Sequence, residues 1–115
     1  MAIKLGKKQA LGLWRAALAD SLRAKGADLS GRQMAIALTV YLAPPPHTVR
    51  GMARSLGISK PAVTRALDTL SALGFLRRKA DPDDKRSVLV ERTVKGSVYL
   101  NDFADIVMRA GQKLD

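Results

Sequence analysis

The side chains of this 115-residue chain that have chemistry to offer are cations and hydroxyls, rather than the paired acids, bases and nucleophiles of bond making. There is one histidine, His47, held between Pro46 and Thr48, and no cysteine to join it. Neither a metal-ligand set nor a thiol–imidazole pair can be assembled from that inventory. No glycine-rich phosphate loop is present. Asp81, Asp83 and Asp84 lie close together in sequence but lack the D-x-[DN]-x-[DN]-G spacing of a calcium loop, so turn capping and pairing with Arg86 account for them better. No catalytic residue, metal or cofactor is expected.

The cations are the informative set. Lys and Arg number 20 against 10 Asp and Glu, a net charge of +10. An excess of that size points to a polyanionic partner, through counterion release from nucleic acid or attraction to an anionic membrane, with solubility as the bland alternative. Ten of the 20 cations fall between Arg50 and Arg92: Arg50, Arg54, Lys60, Arg65, Arg77, Arg78, Lys79, Lys85, Arg86 and Arg92. Within this stretch Thr64 and Arg65 are neighbours. An arginine fork can bond two acceptors of guanine, and a threonine can offer a hydroxyl or a methyl to a base edge. Ser59 and Lys60 stand just before them, where phosphate contact is the natural role.

The elements that must position these residues can be read from the pattern. With 47% apolar and 26% charged residues, the composition is that of a globular protein, and the length suits a single domain over residues 1–115. Residues 8–26 make an amphipathic helix with Leu11, Trp14, Leu18 and Leu22 on one stripe and Gly26 as its stop. A second helix opens at Ser30, with Gln33 completing a capping box, and is apolar almost all round from Met34 to Ala43, as a central core helix would be. Pro44, Pro45 and Pro46 end it. Thr48 caps a third helix, Val49 to Leu56, closed by Gly57. Ser59 caps a fourth that tolerates Pro61 in its first turn and runs to about Leu73. Phe75 to Ala80, the turn Asp81-Pro82-Asp83-Asp84, and Ser87 to Arg92 read as a β-hairpin. A last helix spans 94–114, with Tyr99, Phe103, Ile106, Ala110 and Leu114 on a second stripe.

The fold class is therefore mainly helical with a small β-hairpin wing, a winged helix-turn-helix in the order α-α-(short β)-α-α-β-β-α. In residues 49–68, small Ala53 stands where two helices would touch and Gly57 where the turn needs a permissive backbone. Met52, Leu56, Ile58, Val63 and Ala66 bury the inner faces of both helices. On the fourth helix (59–73) Val63, Leu67 and Leu70 face inward, which leaves Pro61, Thr64, Arg65, Asp68 and Thr69 facing out. A helix of this kind sets its N-terminal half in a major groove. The hairpin tip, 81–87, presents Lys85 and Arg86, and a cationic tip beside such a helix suits the adjacent minor groove. The candidate double-stranded DNA contacts are Thr48, Arg50, Arg54, Ser59, Lys60, Pro61, Thr64, Arg65, Asp68, Lys85 and Arg86.

Residues 48–103 resemble the MarR family of winged-helix regulators. The pieces that carry the resemblance are "ISKPAVTRALDTLSALGFLRR", the wing "DPDDKRS" and "RTVKG" opening the next helix. The resemblance implies that Ser59 to Arg65 line the major groove, that Arg86 reaches the minor groove with Asp84 orienting it, and that the terminal helices build a two-fold dimer. The chain departs from the family in two places. Arg92 stands where leucine is usual, and the residues after Thr93 leave room for one long helix where the family has two.

The expectation is a sequence-specific DNA-binding transcriptional regulator, a homodimer through helices 8–26 and 94–114, cytoplasmic and associated with the nucleoid. Nothing in the sequence supports a small-molecule effector. No run of about 18 apolar residues would span a membrane, and Met1 to Lys8 lacks the apolar run of a signal peptide. Two other readings use the same fold: a winged helix devoted to protein interaction or an accessory role, and a sequence-neutral nucleoid binder. Cations retained at Lys60, Arg65, Lys85 and Arg86 favour DNA over the first.

Overall fold

The computed structural model describes residues 4–114. The expectations that the domain extends over residues 1–3 and 115, and that Met1–Ile3 begin a basic N-terminus without a leader, lie at those ends outside the described residues. The elements in chain order are α1 (Lys7–Arg23), α2 (Gly31–Leu42), α3 (Val49–Leu56), α4 (Lys60–Ala72), β1 (Leu76–Ala80), β2 (Val88–Arg92) and α5 (Val94–Gln112). This is the expected winged-helix order. The short leading strand is reduced to a single bridge between Thr48 and Leu89, reinforced by the Val90 N–H donating to the His47 carbonyl at 2.9 Å. The chain divides into two compact units, one spanning Leu29–Tyr99, the other built from α1 and the part of α5 from Leu100 onward.

In the Leu29–Tyr99 unit, each helix is delimited by residues that answer its unpaired backbone groups. At α2 the Gln33 N–H donates to Ser30 Oγ at 3.1 Å while the Ser30 N–H donates to Gln33 Oε1 at 2.9 Å, the expected capping box. Ala43, preceding Pro44, is extended at φ −88° and ψ 152°, as proline requires of its predecessor. Thr48 Oγ1 accepts the Gly51 N–H at 2.9 Å to open α3. Gly57, at φ 68°, closes it in the left-handed region, where a Cβ would be strained. Ser59 Oγ accepts the Ala62 N–H at 3.2 Å to open α4, with Pro61 in its first turn.

The core of this unit is laid down by α2 and α4. Ile36, Val63, Leu67 and Leu70 are fully buried, joined by Ala37, Val40, Met52, Ala53, Ala66, Leu76 and Val90. Leu56 and Ile58, expected on the inner face, are half-buried at its edge. β1 and β2 pair antiparallel with Leu76 opposite Arg92 and Arg78 opposite Val90. At the connecting turn the Asp83 N–H donates to Asp81 Oδ1 at 2.9 Å, and the Arg86 N–H donates to Asp84 Oδ1 at 3.0 Å. The aspartates cap the turn by the Asx mechanism.

One polar junction was not legible in the pattern. Tyr41, near the end of α2, brings its hydroxyl to 2.9 Å from both the Phe75 and Thr93 carbonyl oxygens, and accepts the Thr93 N–H at 3.1 Å. Thr93 Oγ1 donates to the Gly74 carbonyl at 2.6 Å and accepts the Gly96 N–H at 3.0 Å. A Cβ on Gly96 would overlap the Phe75 carbonyl oxygen and the Tyr41 hydroxyl, so the start of α5 can approach this junction only as glycine.

Two helix ends differ from expectation. α1 stops at Arg23 rather than Gly26: Ala24 is extended, and its N–H closes the last turn on the Asp20 carbonyl at 3.0 Å. The apolar stripe ends at Leu22, so no packing rewards a further turn through Lys25 and Gly26. α5 ends at Gln112 rather than 114, with Gly111 in its last turn.

The two amphipathic stripes also fare differently. On α1 the stripe is open, with Leu11 72%, Trp14 55%, Leu18 44% and Leu22 64% exposed and Ala17 buried. On α5 it is largely taken up. Tyr99 stacks on Phe75 with ring centroids 4.4 Å apart, Ile106 and Ala110 are buried, and Phe103 and Leu114 are half-buried. Of the two stripes read from the sequence, the one on α1 is the one left open among the described residues.

Candidate nucleic-acid interface

The surface that gathers the sequence's candidate residues lies where α3, α4 and the wing converge. A concavity of about 280 Å³ is lined by Thr48, Val49, Arg50, Lys60, Thr64, Asp84, Arg86, Ser87 and Val88. It therefore brings together five of the expected residues: Thr48, Arg50, Lys60, Thr64 and Arg86. Three separate elements deliver them. Arg50 comes from the first turn of α3, Lys60 and Thr64 from the first two turns of α4, and Arg86 from the hairpin turn. Both helix starts are fixed by their caps, which leaves Arg50 and Lys60 exposed beside backbone N–H groups that carry the positive end of each helix dipole.

The other candidates flank this concavity without lining it. Pro61, Arg65 and Asp68 are exposed on the outward face of α4, Arg54 is exposed on the last turn of α3, and Lys85 on the hairpin turn. Ser59 and Thr48 each spend a side-chain oxygen on a helix cap, so their first role is to fix where α4 and α3 begin. Arg65 makes no ion pair among the described residues, whereas Asp68 does. Its Oδ1 lies 2.7 Å from Arg78 Nη1, donated from β1.

The wing arginine is held at its root. Asp84 Oδ1 accepts the Arg86 backbone N–H and lies 3.8 Å from Arg86 Nε, while the guanidinium remains exposed. On the outer face of the hairpin Arg77 pairs with Glu91 at 3.1 Å. His47, read from the sequence as a loop residue, is a buried one, with Nε2 3.0 Å from the Ala43 carbonyl at the end of α2. Sequence reasoning counted Arg78 only among the cations and missed its role. The strand alternation Leu76, Arg78, Ala80 was the available signal, since it sets Arg78 on the same face as buried Leu76.

The arrangement of two capped helices, a glycine-closed turn and a cationic hairpin is matched by a sequence model of the MarR family over residues 27–87, just over half of the chain. The chain belongs to the MarR family. It is accordingly a DNA-binding transcription regulator, of a family whose regulators are in general not enzymes. Solved structures agree on the fold. A mutant of MepR from S. aureus superposes with a TM-score of 0.77 at 17% identity, over 95% of this chain and 81% of that one. A transcriptional regulator from Thermotoga maritima gives 0.76 at 23% identity, over 93% and 72%. The transcriptional repressor CouR, solved bound to a 23-mer DNA duplex, gives 0.74 at 24% identity, over 97% and 83%. As a MarR-family protein the chain places its family match on α2, α3, α4, β1 and the turn that leads into β2. Among the described residues no helix is long and apolar enough to cross a membrane.

Proposed function

We propose that this MarR-family protein binds double-stranded DNA sequence-specifically, with the N-terminal half of α4 in the major groove and the wing turn at the adjacent minor groove. The observation that carries this reading is the shared concavity, which sets Arg50, Lys60, Thr64 and Arg86 from three elements around one surface. In a major groove about 12 Å wide an α-helix fits, and its exposed face is the only part that meets base edges. Thr64 and Arg65 are the base readers in this reading. Lys60, Arg50 and Arg54 take phosphates together with the N–H groups at the two helix starts, and Pro61 packs against the groove wall. Lys85 and Arg86 enter the minor groove, where narrow A·T-rich segments focus negative potential. CouR, with the same fold, is a repressor solved on a DNA duplex, which supports the partner.

The assembly we propose is a homodimer in which the exposed α1 stripe is covered by a second copy. One helix-turn-helix reads about half of a palindromic site, and two copies one helical turn apart supply the other half. A protein so engaged works where the chromosome is. Fragments of genomic DNA selected for binding, compared with random duplexes at physiological salt, test the reading. Enrichment of one palindromic motif supports it. Equal binding to all duplexes makes the protein a nucleoid-type binder, and no binding to any makes it a protein-interaction winged helix.

A further inference from the structure

Asp68 is the one acidic side chain on α4, and it stands in the middle of the helix's outward face. At about 100° per residue it falls between Thr64 and Arg65 in azimuth, one turn further along the helix. A carboxylate there faces the polyanion that a protein of net charge +10 is built to meet. Its pairing with Arg78 does not explain it as a device of stability, since both partners are well exposed and such pairs contribute little to folding. The pair has two other consequences. An Asp three residues after an Arg on a helix is placed to pair with it, yet Asp68 is turned to Arg78, and Arg65 keeps its fork unpaired among the described residues. The bond to Arg78 engages Oδ1, which restrains the carboxylate and leaves Oδ2 as the acceptor beside a neutralising cation.

Resting on the reading that α4 occupies the major groove, we infer that Asp68, positioned by Arg78, reads a cytosine through its N4 amino group. Among the major-groove edges, cytosine offers a donor with no acceptor beside it, and a carboxylate can only accept. Adenine also offers an amino group, but its N7 acceptor would face the second carboxylate oxygen. Arg65 and Asp68 are about 4.5 Å apart along the helix axis, against a base step of about 3.4 Å, so the guanine read by one and the cytosine read by the other lie within about two steps. Arg78 is a positioning residue in this scheme.

Selection of sites by the wild-type protein and by Asp68→Asn, each from the same randomised duplex pool, tests the inference. The expected result is a guanine–cytosine pair of preferences in the wild type, with the cytosine alone replaced by adenine in the variant, because an amide can both accept from N6 and donate to N7. A duplex carrying 5-methyl-2-pyrimidinone at that cytosine, which lacks the amino group, should bind the wild type about tenfold more weakly and leave Asp68→Asn indifferent. Arg78→Ala should blunt the cytosine preference, and Arg78→Lys should restore part of it, with thermal melts confirming that both variants fold. If Asp68→Asn strengthens binding equally on all sequences and moves no preference, Asp68 is an electrostatic spacer and the inference is wrong. If the wild type shows no preference at any position, the major-groove reading fails and takes this inference with it. If an Arg65-dependent guanine preference persists while no cytosine responds to Asp68, only the Asp68 inference is lost.

Discussion

The hydroxyl of Tyr41 lies 2.9 Å from the carbonyl oxygen of Phe75, a residue 34 positions further along the chain. With the Thr93 N–H and carbonyl on the same oxygen, this contact ties the end of α2 to both ends of the hairpin. The wing is thus anchored at its base by one phenol, while its turn is shaped separately by Asp81 and Asp84.

Tyr41→Phe should therefore destabilise the Leu29–Tyr99 unit by about 1–3 kcal/mol, since it leaves part-buried backbone groups unpaired without changing the packed volume. Gly96→Ala should cost at least as much, because its Cβ meets backbone at Phe75 rather than a flexible side-chain end. Urea unfolding of both variants measures this. A Tyr41→Phe protein as stable as the wild type would mean that water substitutes for the phenol.

The helices, their caps and the helix-turn-helix core were legible in the sequence because each rests on local rules. Ser30, Thr48 and Ser59 cap as hydroxyls before helical runs do, and Gly57 turns where a left-handed residue is needed. The Tyr41 junction was not legible, since nothing in α2 marks one aromatic as a polar anchor for residues 34 and 52 positions away. The partner of Asp68 was hidden for the same reason. The fate of the two stripes depended on tertiary cover, and periodicity alone could not separate exposed Leu11 and Trp14 from buried Ile106.

Arg65 and Arg86 should differ in kind when replaced by alanine. If Arg65 reads a base edge, its loss costs about 1–3 kcal/mol on the selected site and little on random DNA. Arg86, held at its backbone N–H by Asp84, should report groove width, so its loss should flatten any preference for A·T-rich flanks. Titrations on matched duplexes decide it, and equal, sequence-independent losses from both would argue for a non-specific binder.

Affinity should fall steeply with salt. Each neutralised phosphate contributes about −0.9 to the slope of log K against log salt. A dimer that neutralises phosphates with Arg50, Arg54 and Lys60 on each half-site should show a slope of about −5 by the same rule. Fluorescence anisotropy across a salt series measures the slope. A flat response would contradict the phosphate roles assigned to these three cations.

Assembly is tested best on α1. Changing Phe103 and Ile106 would be a poor probe, because Ile106 is buried within the chain and its replacement by Asp would damage the fold. Leu11 and Leu18 are exposed, lie two helical turns apart on the same stripe, and can accept Asp without leaving a cavity. The variant carrying Leu11→Asp and Leu18→Asp should keep its helical circular dichroism and its binding to a half-site. It should be monomeric at concentrations where the wild type is dimeric, and should lose the extra affinity that a full palindrome gives over a half-site. Sedimentation at tens of micromolar and titrations on half and full sites provide both readouts. If the wild type itself sediments as a monomer and binds the half-site as tightly as the palindrome, then Leu11, Trp14, Leu18 and Leu22 are not a dimer surface, and each α4 reads its site alone.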